Sequence, residues 1–371
     1  RKLILIILEI WQNLLLSSKY KQFFTIKSER IIVKTMLTKE NLEKNDPNGM
    51  HTIYDRWAEI ARDAYNSDLD SVDFNDIEHV VFSGMGGSGT IGDLFSSILS
   101  KTNIHTTVVK GYELPNTIDK NTLVVTTSVS GDTVETITTL ESATKQNCSV
   151  IAFSSGGKME SFCAKNNIEF RKFPQIHSPR ASLPRFVYSI LKTLNSIIPI
   201  TKQDITDSLE QLERIHKEIS SANLHEKNPS LDLANWINGI PVIYYPQGLE
   251  TAAVRFKNSL QENAKTHAIT ENVVENSHNG IVSWENPSSM VPILIEGKDD
   301  HIKTKDRWRI LREYFETNNI EYKEILTVDG NILSKIMCLI YMLDYSTIYY
   351  SIRLGVNPSP IRSIDFIKER L

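Results

Sequence analysis

The stretch Gly84-Met-Gly86-Gly87-Ser88-Gly89 follows an apolar run, His79-Val-Val-Phe-Ser83, and reads as a glycine loop between a strand and a helix. Such loops bring backbone N–H groups up to a phosphate. A second polar loop, Ser128-Val-Ser130-Gly131-Asp132-Thr133, follows another β-rich run and opens a helix at Val134. The three hydroxyls of Ser128, Ser130 and Thr133, with free amides at a helix N-terminus, make a compact anion site suited to a phosphate monoester. Helix capping, the alternative, would need one hydroxyl. Phosphate binding by Gly87, Ser88, Ser128, Ser130 and Thr133 is therefore the preferred reading. The first loop also fits the GxGxxG dinucleotide pattern, but that site wants an acid at the end of the next strand to hold the ribose. There the chain reads Val108-Val109-Lys110-Gly111, and Glu113 beyond it is poorly placed. A nicotinamide dehydrogenase is disfavoured on that ground.

The elements that must hold these loops alternate. Short β-rich runs at 79–83, 106–109, 121–126 and 149–153 are each followed by turn residues and a helical segment, the pattern of a mostly parallel, doubly wound sheet. Periodicity breaks near Ile197-Ile-Pro199-Ile, and a new helical stretch begins at Gln203. Strands at 240–245, 291–295 and 322–326 then alternate with helices at 251–261 and 305–317, and a terminal helix follows Asn357-Pro-Ser-Pro360. The predicted fold class is α/β, with a first domain over 36–200 and a second over 201–371. Residues 1–35 are expected to lie outside both, as a non-native or disordered extension ahead of Met36. Their apolar run, Leu3 to Leu8, is too short to span a bilayer, and no small-x-small cleavage site follows it.

A length of 371 residues suits two domains. With 41 basic and 45 acidic side chains, a net charge of −4 and no basic run, nucleic-acid binding is disfavoured. Cys148, Cys163 and Cys338 are far apart, so neither a disulfide framework nor a zinc site is suggested, and a cytoplasmic protein with reduced thiols is expected. No membrane partner and no metal are expected.

The two loops, with Pro179-Arg180-Ala-Ser-Leu183, resemble sugar isomerase (SIS) domains, in particular the archaeal-type phosphoglucose/phosphomannose isomerases. The likeness continues through Glu262-Asn-Ala-Lys265, Asn276-Ser-His278-Asn-Gly280 and Ile364-Asp-Phe-Ile-Lys368, and covers Met36 to Leu371 in order. It implies two doubly wound SIS domains with a C-terminal helix, no cofactor, a sugar-phosphate substrate and a homodimer sharing active sites across its interface. It also implies roles. Glu262 would shuttle a proton between C1 and C2 through a cis-enediol, His278 would open the sugar ring with Lys368 as its helper, and Arg180 would stabilise the enediolate. Without the resemblance, Glu262 would pass as a solvated helical glutamate and Lys368 as a dipole-matching lysine. Arg185, Arg255 and Lys257 are weaker basic candidates, read as surface ion-pair residues.

One position departs from the family pattern. Members commonly read Asn-His-Asn-Glu where this chain has Ser277-His278-Asn279-Gly280, so an acidic neighbour of the histidine is missing. Glu275 or Glu285 are the candidate substitutes. A non-catalytic SIS regulator, which would keep the hydroxyl loop and lose the base, is the competing function; the presence of Glu262, His278 and Lys368 counts against it.

Overall fold

The computed structural model describes residues 37–371, so the extension expected at 1–35 lies outside the described residues. In chain order the elements are α1 (Lys39–Asn45), α2 (Met50–Asp55), α3 (Trp57–Asn66), β1 (His79–Ser83), α4 (Gly87–Leu99), β2 (His105–Val109), β3 (Thr122–Ser128), α5 (Val134–Ala143), β4 (Ser149–Ser154), α6 (Gly157–Asn166) and β5 (Glu169–Lys172). Then follow α7 (Leu183–Thr193), α8 (Lys202–Ile219), α9 (Pro229–Trp236), β6 (Ile240–Tyr245) and α10 (Glu250–Ser259). The chain ends through β7 (Ile269–Asn272), α11 (Val273–Asn276), β8 (Met290–Glu296), α12 (Ile302–Thr317), β9 (Lys323–Leu326), α13 (Ile332–Arg353) and α14 (Arg362–Lys368).

Two parallel sheets result, with strand orders β2-β1-β3-β4-β5 and β7-β6-β8-β9. Both wind the same way, so β6 stands in the second sheet where β1 stands in the first. β1 and β3, central and neighbouring, are buried along their whole length, which is why they read as continuous apolar runs. In open sheets of this kind ligands bind beyond the carboxyl ends of the strands, where the winding reverses. In the first sheet those positions are the loops after β1 and β3. The edge strands β5 and β7 went unread in the sequence. Each has only four residues, and Glu169-Phe-Arg-Lys172 and Ile269-Thr-Glu-Asn272 carry too little apolar alternation to announce a strand.

α13 is another element the sequence reading omitted. It is apolar on nearly every face, a pattern that belongs to a buried core helix or a membrane span. Among the described residues it is the one helix long and apolar enough to cross a membrane, and 94% of its apolar window is buried inside the fold. One apolar core runs from Val80 and Phe82 of β1 through α13 to Ile243 and Ile293 of the second sheet. Against α13 packs an aromatic stack, with Tyr54 on Trp57 at 4.3 Å and Trp57 on Tyr341 at 5.4 Å. The buried Trp57 Nε1 donates to the carbonyl of Ala181 (3.0 Å), fixing the backbone next to Arg180 from behind.

Candidate active site

The two polar loops meet at the head of the first sheet. The backbone N–H of Val129 donates to Ser88 Oγ at 3.3 Å, tying the glycine loop to the hydroxyl loop. Ser128 Oγ and Thr133 Oγ1 lie 2.9 Å apart, and Ser128 Oγ accepts from the Gly131 N–H at 3.1 Å. Ser130 Oγ accepts from the Asp132 N–H. Gly131 has φ 78°, and a Cβ there would stand 1.9 Å from the Gly156 carbonyl oxygen, so no other residue fits that turn. The capping alternative fails on a direct observation. Thr133 is the N-cap residue of α5, yet its side chain makes no cap hydrogen bond, and Gly86 leaves α4 equally uncapped. Two helix N-termini without side-chain caps thus converge beside three hydroxyls, an arrangement that favours a dianion.

The second sheet builds no such cradle at the corresponding positions. The loop after β6 is Pro246-Gln-Gly-Leu249, and that after β8 is Gly297-Lys-Asp-Asp300, where the Asp300 carboxylate accepts from the Gly297 N–H. At the end of β8, burial pushes the Glu296 carboxyl up to about 7, with Glu324 and Asp300 adding repulsion against the pull of Arg312. Carboxylates repel a phosphate, so of the two sheets the first is the better suited to an anion. Lys110, just after β2, is paired with Asp93 at 2.5 Å.

A cleft of about 900 Å³ opens beside Gly86. Its opposite walls come from the end of α10 and from the segment leading into α14. After Ser259 the helix widens into one π turn, Leu260–Ala264, closed by Lys265 in the left-handed region with φ 56°. π turns are rare and concentrate at functional sites. This one delivers Glu262, Lys265 and, just beyond, His267 to the cleft wall. The Glu262 carboxylate is about a quarter exposed and accepts from Arg180 Nη1 at 3.2 Å. Arg180 itself is 3% exposed and spends its other donors on structure. Nε donates to Asn263 Oδ1 at 2.7 Å, and Nη2 to the carbonyls of Pro358 and Ser359 at 2.7 and 2.9 Å. One guanidinium therefore joins the π turn to the strap 357–361 that lines the cleft.

Lys265 and His267 were not read as site residues. The Lys265 ammonium donates to the carbonyls of Glu262 and Pro358, the latter at 3.2 Å. Burial, with Arg180 adding repulsion and Glu262 opposing, pushes it down to about 8. Raising the pH through about 8 should then remove the ammonium's hold on the turn, and kcat should fall on that limb. The sign for stability is the opposite. The folded state sheds this proton before the unfolded state does, so between about 8 and the ordinary lysine value the fold gains from the group as pH rises. The expected result is an alkaline loss of kcat with no matching loss of melting temperature from this group, and a limb displaced upward in Lys265→Arg. An unmoved limb would assign the titration to another residue.

His278 and Lys368 are placed differently. His278 is exposed on the turn after α11, with its backbone N–H on the Glu275 carbonyl at 2.9 Å, and Lys368 is exposed at the end of α14. Neither lines the cleft that holds Glu262. The neighbour Gly280 is tightly packed, since a Cβ would stand 2.2 Å from Asn276 Nδ2 and 3.8 Å from Glu271 Oε2. A side chain at this position would have to displace the Asn276 amide, and Glu271 stands next to the gap. Of the two substitutes expected, Glu275 accepts from Asn279 Nδ2 at 3.0 Å, and Glu285 is exposed. Arg255 is corrected outright. It is a buried cation, not a surface one, paired at 2.7 Å with the fully buried Asp344. A lone aspartate in the middle of the apolar α13 was the signal that could have found it, because a buried carboxylate needs a cation. Arg185 and Lys257 are half-buried and form no ion pair among the described residues.

The hydroxyl loop gives a measurable expectation. Replacing Ser128 and Thr133 together with alanine should raise KM for a sugar phosphate at least about tenfold, since each hydrogen bond to a charged group contributes about 1.5–3 kcal/mol. kcat should change less, and free phosphate should compete with substrate in the wild type. An unchanged KM would move the phosphate site elsewhere.

Comparison with known proteins gives the family of the chain. Residues 73–197 match the SIS domain family, and residues 226–371 match the family described as the bacterial phospho-glucose isomerase C-terminal SIS domain. A bifunctional phosphoglucose/phosphomannose isomerase of Caldicellulosiruptor bescii is 30% identical over 81% of this chain and 91% of its own length. One from Aquifex aeolicus is 29% identical over 85% and 94%. Among solved structures, a hypothetical protein of Thermus thermophilus superposes with a TM-score of 0.66 at 13% identity, covering 92% of this chain and 90% of that one, a likeness of fold. With two SIS sheets, one hydroxyl cradle and an arginine-held glutamate in order along its length, the chain belongs to the family of bifunctional phosphoglucose/phosphomannose isomerases.

Proposed function

We propose that this chain interconverts fructose 6-phosphate with glucose 6-phosphate and mannose 6-phosphate through a cis-enediol, using its own side chains. The observation that carries the reading is the Glu262 carboxylate, held by Arg180 in the wall of a cleft that also opens on the phosphate loop at Gly86. The phosphate sits against Gly87, Ser88, Ser128, Ser130 and Thr133. Glu262 takes the proton from C1 of the open ketose and returns it to C2, and the face on which it returns decides between the two aldose epimers. The Arg180 guanidinium lies beside the charge that develops on the enediolate oxygens. His278, with Lys368, takes and gives the protons of ring opening.

Ring opening requires His278 to reach a cleft that it does not line in its own chain. A symmetric dimer in which His278 enters the partner's cleft supplies it. Exposed apolar side chains support such pairing: Val274 and Val282 flank His278, and Phe366 and Ile367 stand on α14, the last three 57–58% exposed. The test is to incubate purified protein with fructose 6-phosphate, no cofactor added, and to assay both aldose phosphates. Failure to form either overturns the reading.

A further inference from the structure

We propose that Arg255 is a positioning residue that couples phosphate binding at the Gly87 loop to the placement of Arg180 and Glu262. Four elements meet at its guanidinium. Nε and Nη2 donate to Asp344 Oδ2 of α13 at 3.0 and 2.7 Å, and Nη2 also donates to the backbone carbonyl of Arg180 at 2.7 Å. Nη1 stands 3.3 Å from the point a Cβ on Gly87 would occupy, and that point is 3.8 Å from both the Arg180 Cα and the Pro179 carbonyl oxygen. Among the described residues no acceptor takes a hydrogen bond from Nη1. One donor of a buried cation is thus left beside the first turn of α4, where the substrate phosphate binds.

The other end of the assembly is tied to the base. Asp344 is fully buried, and its Oδ1 accepts from Ser259 Oγ at 2.6 Å. Ser259 is the last residue of α10, immediately before the π turn that carries Glu262. Asp344 therefore fixes the start of that turn, while Arg255 fixes the backbone of the arginine that holds the glutamate's carboxylate. A dianion arriving at Gly87 faces Nη1 in a low-dielectric setting, where a charge interaction is far stronger than in water. Any adjustment of the guanidinium toward the phosphate is passed to the Arg180 carbonyl, because Nη1 and Nη2 belong to one rigid plane. Binding energy from the non-reacting phosphate is then spent on ordering the reacting end. The electrostatic balance fits, since Arg255 with Asp344 and Arg180 with Glu262 are each neutral before substrate arrives.

The proposal rests on the phosphate reading of the Gly87 loop, and the experiment separates the two. D-Xylulose keeps the five upper carbons of the ketose and lacks the phosphate-bearing one, so inorganic phosphite can occupy the loop as a separate piece. Phosphite should raise wild-type kcat/KM for D-xylulose about tenfold or more. In Arg255→Lys, which keeps a cation opposite Asp344 but has no second donor arm, the activation factor should fall below about threefold. A ratio measured within one preparation does not depend on the folded fraction, so a merely structural role would lower both rates and leave the ratio unchanged. Equal activation factors in wild type and variant overturn the coupling, as does a wild type that turns over fructose 6-phosphate yet gains nothing from phosphite. If the phosphate reading itself is wrong, phosphite will also fail to compete with fructose 6-phosphate. Should Arg255→Lys not fold, Arg255→Gln combined with Asp344→Asn, which keeps the buried site neutral, takes its place.

Discussion

Glu262→Gln should lower kcat for fructose 6-phosphate isomerisation at least about 10²-fold while KM stays within a few-fold, because removing a positioned general base typically costs 10²–10⁴ in rate. The amide keeps the size of the carboxylate and an oxygen that can still accept from Arg180 Nη1, so the strap and the π turn should stay in place. What it loses is the ability to take a proton from carbon. Substrate affinity should survive because, on the function proposed above, the phosphate is held by the loops at Gly87 and Ser128 and not by this turn. If anything, loss of the negative charge leaves Arg180 more attractive to an anion. Steady-state kinetics, together with solvent-deuterium incorporation into unreacted fructose 6-phosphate, reports the proton step directly. A variant retaining more than about a tenth of wild-type turnover would remove Glu262 from the shuttle.

How legible this was differs from residue to residue, for physical reasons. Strands β1, β3, β4, β6 and β8 were readable because a strand covered on both faces is a run of apolar residues between turn signals. The hydroxyl loop was readable because serines and threonines clustered at a helix start exceed what capping needs. The π turn was not. Glu262 and Lys265 are three residues apart in a segment that reads as ordinary helix, and only the fold shows the turn widening and ending left-handed at Lys265. Arg255 was misread because a cation in an amphipathic helix is usually solvated, and the carboxylate that draws it inward lies 89 residues on, in α13. The tight packing of Gly280 against Asn276 is a matter of a few ångströms between side chains, for which no sequence period exists.

Mixing two damaged proteins should restore activity, and this is the larger test of the dimer. If each site combines Glu262 of one chain with His278 of the other, Glu262→Gln and His278→Ala lesions carried on separate chains sort unequally in a mixed dimer. One site receives both lesions and the other receives neither. Unfolded together in equal amounts and refolded, about half the dimers should be mixed, each with one intact site of two, so recovery should approach roughly a quarter of wild type. The parents refolded alone stay near their own low rates, because every site in them carries one lesion. The geometry explains why the experiment can succeed: Glu262, Arg180 and the glycine loop at Gly86 assemble within one chain, while His278 stands exposed on the turn after α11, away from that chain's cleft lining. A mixture no more active than the average of its parents, with wild type refolding well under the same conditions, places His278 in the service of its own chain or outside the reaction. Recovery near a quarter would in turn identify the exposed apolar side chains around His278 and on α14 as buried surface of the working enzyme, and substituting Phe366 with a charged residue should then lower activity and dimer content together.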